Sequence, residues 1–179
     1  MTTHGLKPPV GPSDHVEGPA DAAVTLVEYG DYQCPYCGEA YSIVKQVQKR
    51  LAGKLRFVFR NFPLAEAHPL ATGAAEMAEA AALQDKFWQM HDTLYEHQDA
   101  LDPESLVEHA KRLHLDMTKL KAALGSAAVT ERVRSDFMSG VRSGVNGTPS
   151  FFVNGVRFDG NWTDADEFAA SLEAVANKV

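Results

Sequence analysis

The feature that most restricts the fold is a pair of cysteines two residues apart, Cys34-Pro35-Tyr36-Cys37, at the start of a helical pattern. Before it, residues 24–29 (VTLVEY) are nearly all apolar, β-branched or aromatic, which is typical of a strand inside a sheet. After it, apolar residues recur at helical spacing until Gly53, and residues 55–60 then alternate as a second strand. Strand, helix and strand in this order predict a βαβ unit.

The region from Phe62 to Asn146 shows helical periodicity throughout and no convincing strand. Apolar residues recur three and four positions apart in several segments, and Asp102-Pro103 is typical of a helix start. The stripe of Phe87, Met90, His91 and Leu94 is one such segment, and we interpret His91 as a core histidine with a satisfied ring nitrogen. The periodicity predicts about 80 residues of helical insertion after the second strand.

Strands return near the end of the chain. Residues 150–153 and 156–158 flank Asn154-Gly155, a strong signal for a tight hairpin. Thr163 and Asp166 then predict the N-terminal cap of a last helix. The predicted fold is therefore α/β, with the order β-α-β, an all-helical insertion, and β-β-α.

The charge and hydropathy of the chain exclude some partners. The 179 residues carry 17 Lys and Arg against 24 Asp and Glu, a net charge of −7, so nucleic acid is a poor candidate partner. No run approaches the roughly 18 apolar residues of a membrane span, so we expect no membrane insertion. The N-terminus lacks the basic and apolar regions of a signal peptide, which predicts a cytoplasmic protein. If Met1 replaces a cleaved leader, the alternative is a periplasmic or extracellular location.

The spacing of the two cysteines favours redox chemistry over a structural role. A disulfide that closes so short a loop would add little stability. A zinc site needs about four ligands, and the spaced pair of His109 and His114 lies on opposite sides of a helical turn. A Cys-x-x-Cys motif within a βαβ pattern indicates a reactive dithiol, so we expect no metal and no bound cofactor. A zinc-binding structural protein remains a remote alternative.

The two thiols are expected to have different roles. Pro35 suits the first turn of a helix, which places Cys34 at the N-cap, where backbone N–H groups and the helix dipole favour a thiolate. Cys34 is therefore predicted to be an exposed nucleophile with a low pKa. Cys37, inside the first turn, is predicted to be the resolving thiol that attacks a mixed disulfide.

Two further positions are candidates from the residues alone. Glu28 is the only charge in the first strand, and burial there would raise its pKa until it could exchange a proton with Cys37. The alternative is that Glu28 faces solvent from the end of the strand. Thr148-Pro149 directly precedes the third strand, and the residues alone favour a trans peptide bond there, since cis bonds are a small minority.

With these motifs in place, the chain resembles the DsbA-like thioredoxin-fold thiol-disulfide oxidoreductases over about residues 15–179, judged by its order of elements. The segments Arg60-Asn61-Phe62-Pro63-Leu64, His68-Pro69 and Lys86-Phe87-Trp88 are similar to the bacterial branch of that family. His68 is equally compatible with packing at a helix start. The frequent Pro and Gly of residues 1–20 favour an extended arm with little regular structure. The predicted domains after it are a thioredoxin-fold domain over residues 21–62 and 146–179 and an inserted helical domain over residues 63–145.

The resemblance also implies roles for particular residues. Cys34 corresponds to the attacking cysteine, Cys37 to the resolving cysteine and Glu28 to the buried catalytic acid. Pro149 corresponds to a cis-proline beside the active site. Thr148 would hydrogen-bond an extended substrate, and Pro35 and Tyr36 complete the implied substrate-binding residues.

One departure from the family bears on redox potential. The family's strong periplasmic oxidant has Pro-His between its cysteines and Val before the cis-proline, where this chain has Pro35-Tyr36 and Thr148. Histidine helps to stabilise the thiolate and so makes the disulfide more oxidising, which Tyr36 cannot do. We therefore hypothesise a less oxidising protein, consistent with a reducing compartment.

The expected function is thiol-disulfide exchange with thiol- or disulfide-containing protein substrates, assisted by a redox partner protein or glutathione. The direction, as oxidase, reductase or isomerase, stays open. The alternative is a redox-sensing or thiol-binding interaction module with little turnover.

Overall fold

The computed structural model describes residues 5–178. The elements in that part of the chain follow the predicted order of β-α-β, helical insertion and β-β-α, with one additional strand at the beginning. They are β1 (His15–Glu17), β2 (Val24–Gly30), α1 (Pro35–Arg50), β3 (Leu55–Asn61), α2 (Ala71–Ala82), α3 (Phe87–Glu96), α4 (Pro103–Arg112), α5 (Met117–Leu124), α6 (Ala127–Arg142), β4 (Ser150–Val153), β5 (Val156–Phe158) and α7 (Ala165–Ala176).

The strands form one five-stranded sheet in the order β1-β3-β2-β4-β5. β2 pairs antiparallel with β4, and β4 pairs antiparallel with β5. The β4–β5 turn contains Asn154 and Gly155 with φ angles of 48° and 81°, the left-handed values that a tight hairpin turn requires. The predicted hairpin is therefore confirmed.

β1 is an element that the sequence analysis did not predict. Its three residues pair antiparallel with β3, with His15 opposite Phe59. The expectation of an arm with little regular structure over residues 1–20 is wrong for this segment, because the edge of β3 offers backbone groups that pair with it. Residues 1–4 of the predicted arm lie outside the described residues.

The chain divides into two compact units. The first contains residues 5–30, Glu39–Arg60 and 139–178, which include most of the sheet, most of α1, and α7. The second contains Asp31–Gly38 and Asn61–Met138, which include the start of α1, helices α2 to α5 and most of α6. The domain boundaries expected from the sequence stay a prediction.

The core of the first unit lies around β2. Leu26, Val27 and Tyr29 have no exposed surface, because both faces of this strand are covered. On β4, the ring of Phe151 lies 5.2 Å from that of Phe168 on α7. Burial on both faces explains why the sequence of β2 is an almost continuous apolar run.

A buried ion pair fixes the N-terminal segment to the sheet. The guanidinium of Arg60, on β3, donates to both carboxylate oxygens of Asp14 at 2.8 and 2.9 Å and to the hydroxyl of Tyr29 at 3.0 Å. Its remaining donors reach the carbonyls of Pro8 and Pro9. Burial acts to lower the pKa of Arg60, but the hydrogen bonds to Asp14 and Tyr29 outweigh it and leave the pKa above its usual value.

The N-caps follow ordinary capping chemistry. Asp102 accepts the backbone N–H of Ser105 at the start of α4, which confirms the predicted helix start. In α7 the cap is Asp164, which accepts from the N–H of Glu167. The prediction of Thr163 as the cap is therefore wrong by one position, because its hydroxyl instead donates to Asn161 Oδ1 at 2.7 Å.

A buried polar cluster lies in the second unit. The side-chain amide of Asn61 donates to Glu79 Oε1 at 2.7 Å and to Asp136 Oδ2 at 3.0 Å, and its backbone N–H also donates to Asp136 Oδ2 at 3.0 Å. Arg132 Nε lies 3.3 Å from Asp136 Oδ1 and 4.0 Å from Glu79 Oε1. Two carboxylates thus share one partly exposed arginine and one amide.

Candidate active site

The Cys-x-x-Cys motif forms the loop and first turn at the start of α1. The helix begins at Pro35, and the N–H of Gly38 donates to the carbonyl of Cys34 at 3.1 Å. Cys34 is therefore the residue directly before the helix, as predicted. The backbone N–H groups and positive dipole end of a helix favour an anion at this place.

Both cysteines are buried. The exposed fraction is 3% for Cys34 and 0% for Cys37, whereas Tyr36 between them is 66% exposed. The prediction that Cys34 is exposed is therefore wrong. Its backbone is hydrogen-bonded on both sides, with the N–H bound by Asp31 and the carbonyl by Gln98, which packs the residue into the unit.

Asp31 organises the loop through both its side chain and its backbone. Its Oδ1 accepts from the backbone N–H groups of Gln33 at 2.8 Å and Cys34 at 3.1 Å. Its Oδ2 accepts from Leu64 N at 2.8 Å and contacts His68 Nδ1 at 2.8 Å. Its own N–H points at Cys37 Sγ, 3.5 Å away. Asp31 was not among the predicted site residues, although an aspartate before a turn, bonded to N–H groups ahead of it, is a recognisable local signal.

Gln98 holds the same loop from the segment between α3 and α4. Its side-chain amide donates to the carbonyls of Tyr32 and Cys34, both at 2.9 Å. Gly38 makes room for this side chain, because a Cβ at that position would overlap with Gln98 Oε1. No sequence signal identifies Gln98, since its partners are 64 and 66 positions away.

An aromatic cluster lies beside the loop in the same unit. Tyr32 Oη is 2.9 Å from His91 Nδ1, and both side chains are almost fully buried. The rings of Trp88 and Tyr95 each lie 5.1 Å from the ring of His91 with steep interplanar angles. His91 is thus a buried histidine with a satisfied ring nitrogen, which confirms its interpretation as a core residue.

Three of the predicted site residues, Glu28, Thr148 and Pro149, belong to the first unit. Glu28 is 1% exposed on β2, so the expectation of a buried acid is confirmed over that of a strand-end position. It lies opposite Phe151 in the β2–β4 register, one position from the Tyr29–Ser150 pair that follows Pro149.

The Thr148–Pro149 peptide bond is cis. The residues-only expectation of a trans bond is therefore wrong, while the cis bond implied by the family resemblance is present. The two isomers of an X-Pro bond differ by only about 0.5–1 kcal/mol in a peptide, so tertiary context decides between them and the local sequence does not.

Two kinds of feature are absent from residues 5–178. No group of three or more His, Cys, Asp or Glu side chains is arranged to hold a metal ion. In the same residues, no helix combines the length and apolar character needed to cross a bilayer.

The sheet order, the dithiol at the start of α1 and the helical insertion together define a thioredoxin-fold protein of the thiol-oxidoreductase class. A family model described as Thioredoxin matches residues 11–174. The chain belongs to this family and, within it, to the DsbA-like thiol-disulfide oxidoreductases. The α/β thioredoxin fold with an all-helical insertion is thereby confirmed.

Two solved structures illustrate the likeness. Oxidised BdbD from Bacillus subtilis is 28% identical with a TM-score of 0.81, and the match covers 92% of this chain and 93% of that one. A thioredoxin-like oxidoreductase from Silicibacter pomeroyi is 27% identical with a TM-score of 0.82, covering 94% and 95% of the two chains.

A curated relative is named as an antiporter, unlike the two oxidoreductase structures, and is much longer than this chain. The Na(+)/H(+) antiporter NhaA 3 of Salinispora tropica is 44% identical over 96% of this chain but only 26% of its own length. The chain therefore spans about a quarter of the length of the curated relatives it matches.

Proposed function

We propose that the chain exchanges disulfides with protein substrates through Cys34 and Cys37. The observation that carries the proposal is the position of Cys34 directly before α1, with the sulfur of Cys37 one turn on receiving the N–H of Asp31. Such a position supports a thiolate at the first cysteine and a second thiol ready to resolve a mixed disulfide.

The proposed exchange proceeds in two balanced steps. The Cys34 thiolate attacks one sulfur of a substrate disulfide, a mixed disulfide forms, and the other substrate sulfur leaves as a thiolate that takes up a proton. Cys37 then loses its proton and attacks the Cys34 sulfur, so the substrate's second thiol is released. The substrate disulfide gains two electrons and the dithiol becomes a Cys34–Cys37 disulfide. The reverse sequence oxidises a substrate dithiol.

The other predicted site residues enter this proposal with the roles that the sequence analysis gave them. Glu28 is proposed to exchange a proton with Cys37 in the second step, supported by its burial as the one charged residue of β2. Pro35, Tyr36, Thr148 and Pro149 are proposed to bind the substrate. The 66% exposure of Tyr36 supports its part in this set, because an exposed aromatic ring can contact an incoming chain.

The first experiment measures turnover in dithiothreitol-driven insulin reduction and in the recovery of a scrambled disulfide protein. C34S should abolish turnover, and C37S should accumulate mixed disulfides with many proteins because the resolving step is lost. With Cys37 present, Glu28→Gln should slow the resolution of the mixed disulfide by Cys37 more than its formation. A wild-type protein without turnover in either assay would contradict the proposal.

The direction of exchange is a finer part of the proposal. We propose a less oxidising protein than the family's strong oxidant, since Tyr36 stands where that protein has a histidine. Equilibration with glutathione buffers measures the reduction potential of the Cys34–Cys37 pair, and a midpoint of about −120 mV would refute this hypothesis. The cytoplasmic location expected from the sequence gains no support from the comparisons, and a high potential would favour the periplasmic or extracellular alternative.

One observation favours the second candidate function, a redox-sensing module with little turnover. The chain matches only about a quarter of the length of relatives that are named as antiporters. A sequence of this kind can therefore form part of a much longer protein. Its thiols could there change a contact with neighbouring regions. The C37S trap separates the candidates, because an enzyme captures many proteins and a sensor captures one or none.

A further inference from the structure

The contact between His68 and Asp31 is a feature that the exchange steps leave unused. The side chain of Asp31 has no exposed surface, that of His68 is 21% exposed, and Asp31 Oδ2 lies 2.8 Å from His68 Nδ1. We take the ring nitrogen as the donor, since an ionised carboxylate oxygen can only accept. This arrangement fixes the orientation and tautomer of the ring.

The same carboxylate reaches the nucleophilic cysteine. Asp31 Oδ1 accepts the backbone N–H of Cys34 at 3.1 Å, so a negative group lies beside the backbone of that residue. A nearby like charge disfavours a thiolate, whereas the start of α1 favours it. The hydrogen bond from His68 withdraws charge from the carboxylate and so reduces its unfavourable effect on the Cys34 thiolate.

Asp31 is also in contact with the second sulfur, because its backbone N–H points at Cys37 Sγ. A hydrogen bond to a thiolate stabilises it, so the placement of the Asp31 backbone affects Cys37 when that thiol becomes the attacking group. One residue thus connects the His68 side chain with the backbone of Cys34 and the sulfur of Cys37. Its position depends on the carboxylate contacts to Leu64 and His68.

We propose that His68 is a positioning residue that acts through Asp31 to set the ionisation of Cys34 and the redox balance of the dithiol. The inference rests on the proposed thiol-disulfide exchange and deepens it. Asp31 and His68 have opposite effects on the Cys34 thiolate. The carboxylate destabilises the thiolate, and the imidazole weakens that destabilisation. The effect of His68 therefore depends on the charge of Asp31.

The test measures the pH at which alkylation of Cys34 by iodoacetamide reaches half its maximal rate, in a C37S background where Cys34 is the single thiol. His68→Ala should raise this midpoint by about one pH unit and Asp31→Asn should lower it by about as much, the low end of the shift that a nearby charge produces. In the Asp31→Asn background, His68→Ala should have no effect. This non-additivity distinguishes action through Asp31 from a general loss of structure.

Two further variants serve as controls. His68→Asn keeps an N–H donor near the Nδ1 position and should restore the wild-type midpoint. Glu66→Gln removes an exposed negative charge from the same loop and should leave the midpoint unchanged. On the intact dithiol, His68→Ala should favour the disulfide about tenfold in glutathione equilibria, equivalent to about 30 mV.

Each outcome has a defined meaning. Unchanged midpoints in His68→Ala and Asp31→Asn would overturn the inference, provided circular dichroism shows both variants folded. An equal shift from His68→Ala in both backgrounds would also overturn it, because His68 would then act without Asp31. Absence of turnover by the wild-type chain in both insulin reduction and the recovery of a scrambled protein would instead count against the proposed function, since the alkylation midpoint does not require turnover.

Discussion

Replacing Asp136 with asparagine should change the pH dependence of folding stability. The residue is 5% exposed, and desolvation by this burial raises the pKa of its carboxyl from an ordinary value of 3.8 to about 6. Arg132, 3.3 Å away, and the N–H groups of Asn61 lower the pKa, but they offset the burial only in part. The nearby carboxylate of Glu79 acts in the same direction as burial.

The sign follows from linkage between protonation and folding. Because the pKa of Asp136 is higher in the folded chain than in the unfolded chain, the folded state binds this proton more tightly between about pH 4 and about pH 6. Stability from this group therefore falls as pH rises through that range and stays low above it. A gap of about two pKa units corresponds to about 3 kcal/mol in total, of which about 2 kcal/mol lies between about pH 4.5 and about pH 7.5.

Urea unfolding at those two pH values measures the effect. The free energy of unfolding of Asp136→Asn, taken relative to wild type, should rise by about 2 kcal/mol from the lower to the higher pH. Glu131→Gln is the matched control, since Glu131 lies on the same helix with an exposed side chain, and its difference from wild type should be nearly constant. A difference for Asp136→Asn that is as constant as that of the control would refute the argument from desolvation.

Three other predictions concern the contacts that stabilise the fold and the site. Gln98→Ala removes two hydrogen bonds to the active-site loop, including that to Cys34. It should lower the free energy of unfolding by about 1–2 kcal/mol and also lower the rate of insulin reduction. Unchanged turnover would contradict a role of Gln98 in holding the loop. Asp14→Asn leaves the buried Arg60 without its anionic partner and should cost about 3 kcal/mol in urea unfolding; a loss below about 1 kcal/mol would match an exposed pair instead. Asp164→Ala should cost about 1 kcal/mol through the lost cap of α7, while Thr163→Ala should cost much less; the reverse order would restore the original cap assignment.

The order of elements could be predicted because each one carries its own periodicity. The helical insertion repeats apolar residues three and four positions apart, and its five helices lie where that pattern places them. The Asn154-Gly155 turn specifies its hairpin locally. β1 could not be predicted in this way, since a three-residue edge strand has no periodicity and depends on β3 for its pairing.

The candidate site was predictable only where chemistry and local structure coincide. Cys34 and Pro35 predict a helix start by residue type and spacing, and Glu28 is recognisable as the one charged residue in an apolar strand. The burial of Cys34 was mispredicted, because it depends on hydrogen bonds from residues outside the motif. The contact of Asp31 with His68 joins positions 37 apart, a distance at which one sequence contains no pairing information.

The four-residue motif is therefore an incomplete guide to redox potential in this protein. The expectation of a weaker oxidant considered only Tyr36, which cannot stabilise the thiolate as a histidine would. The Asp31 carboxylate at the N–H of Cys34 opposes the thiolate further, while His68 moderates that opposition. A potential equal to that of the strong oxidant would consequently contradict two independent arguments, one from the dipeptide and one from the loop that precedes it.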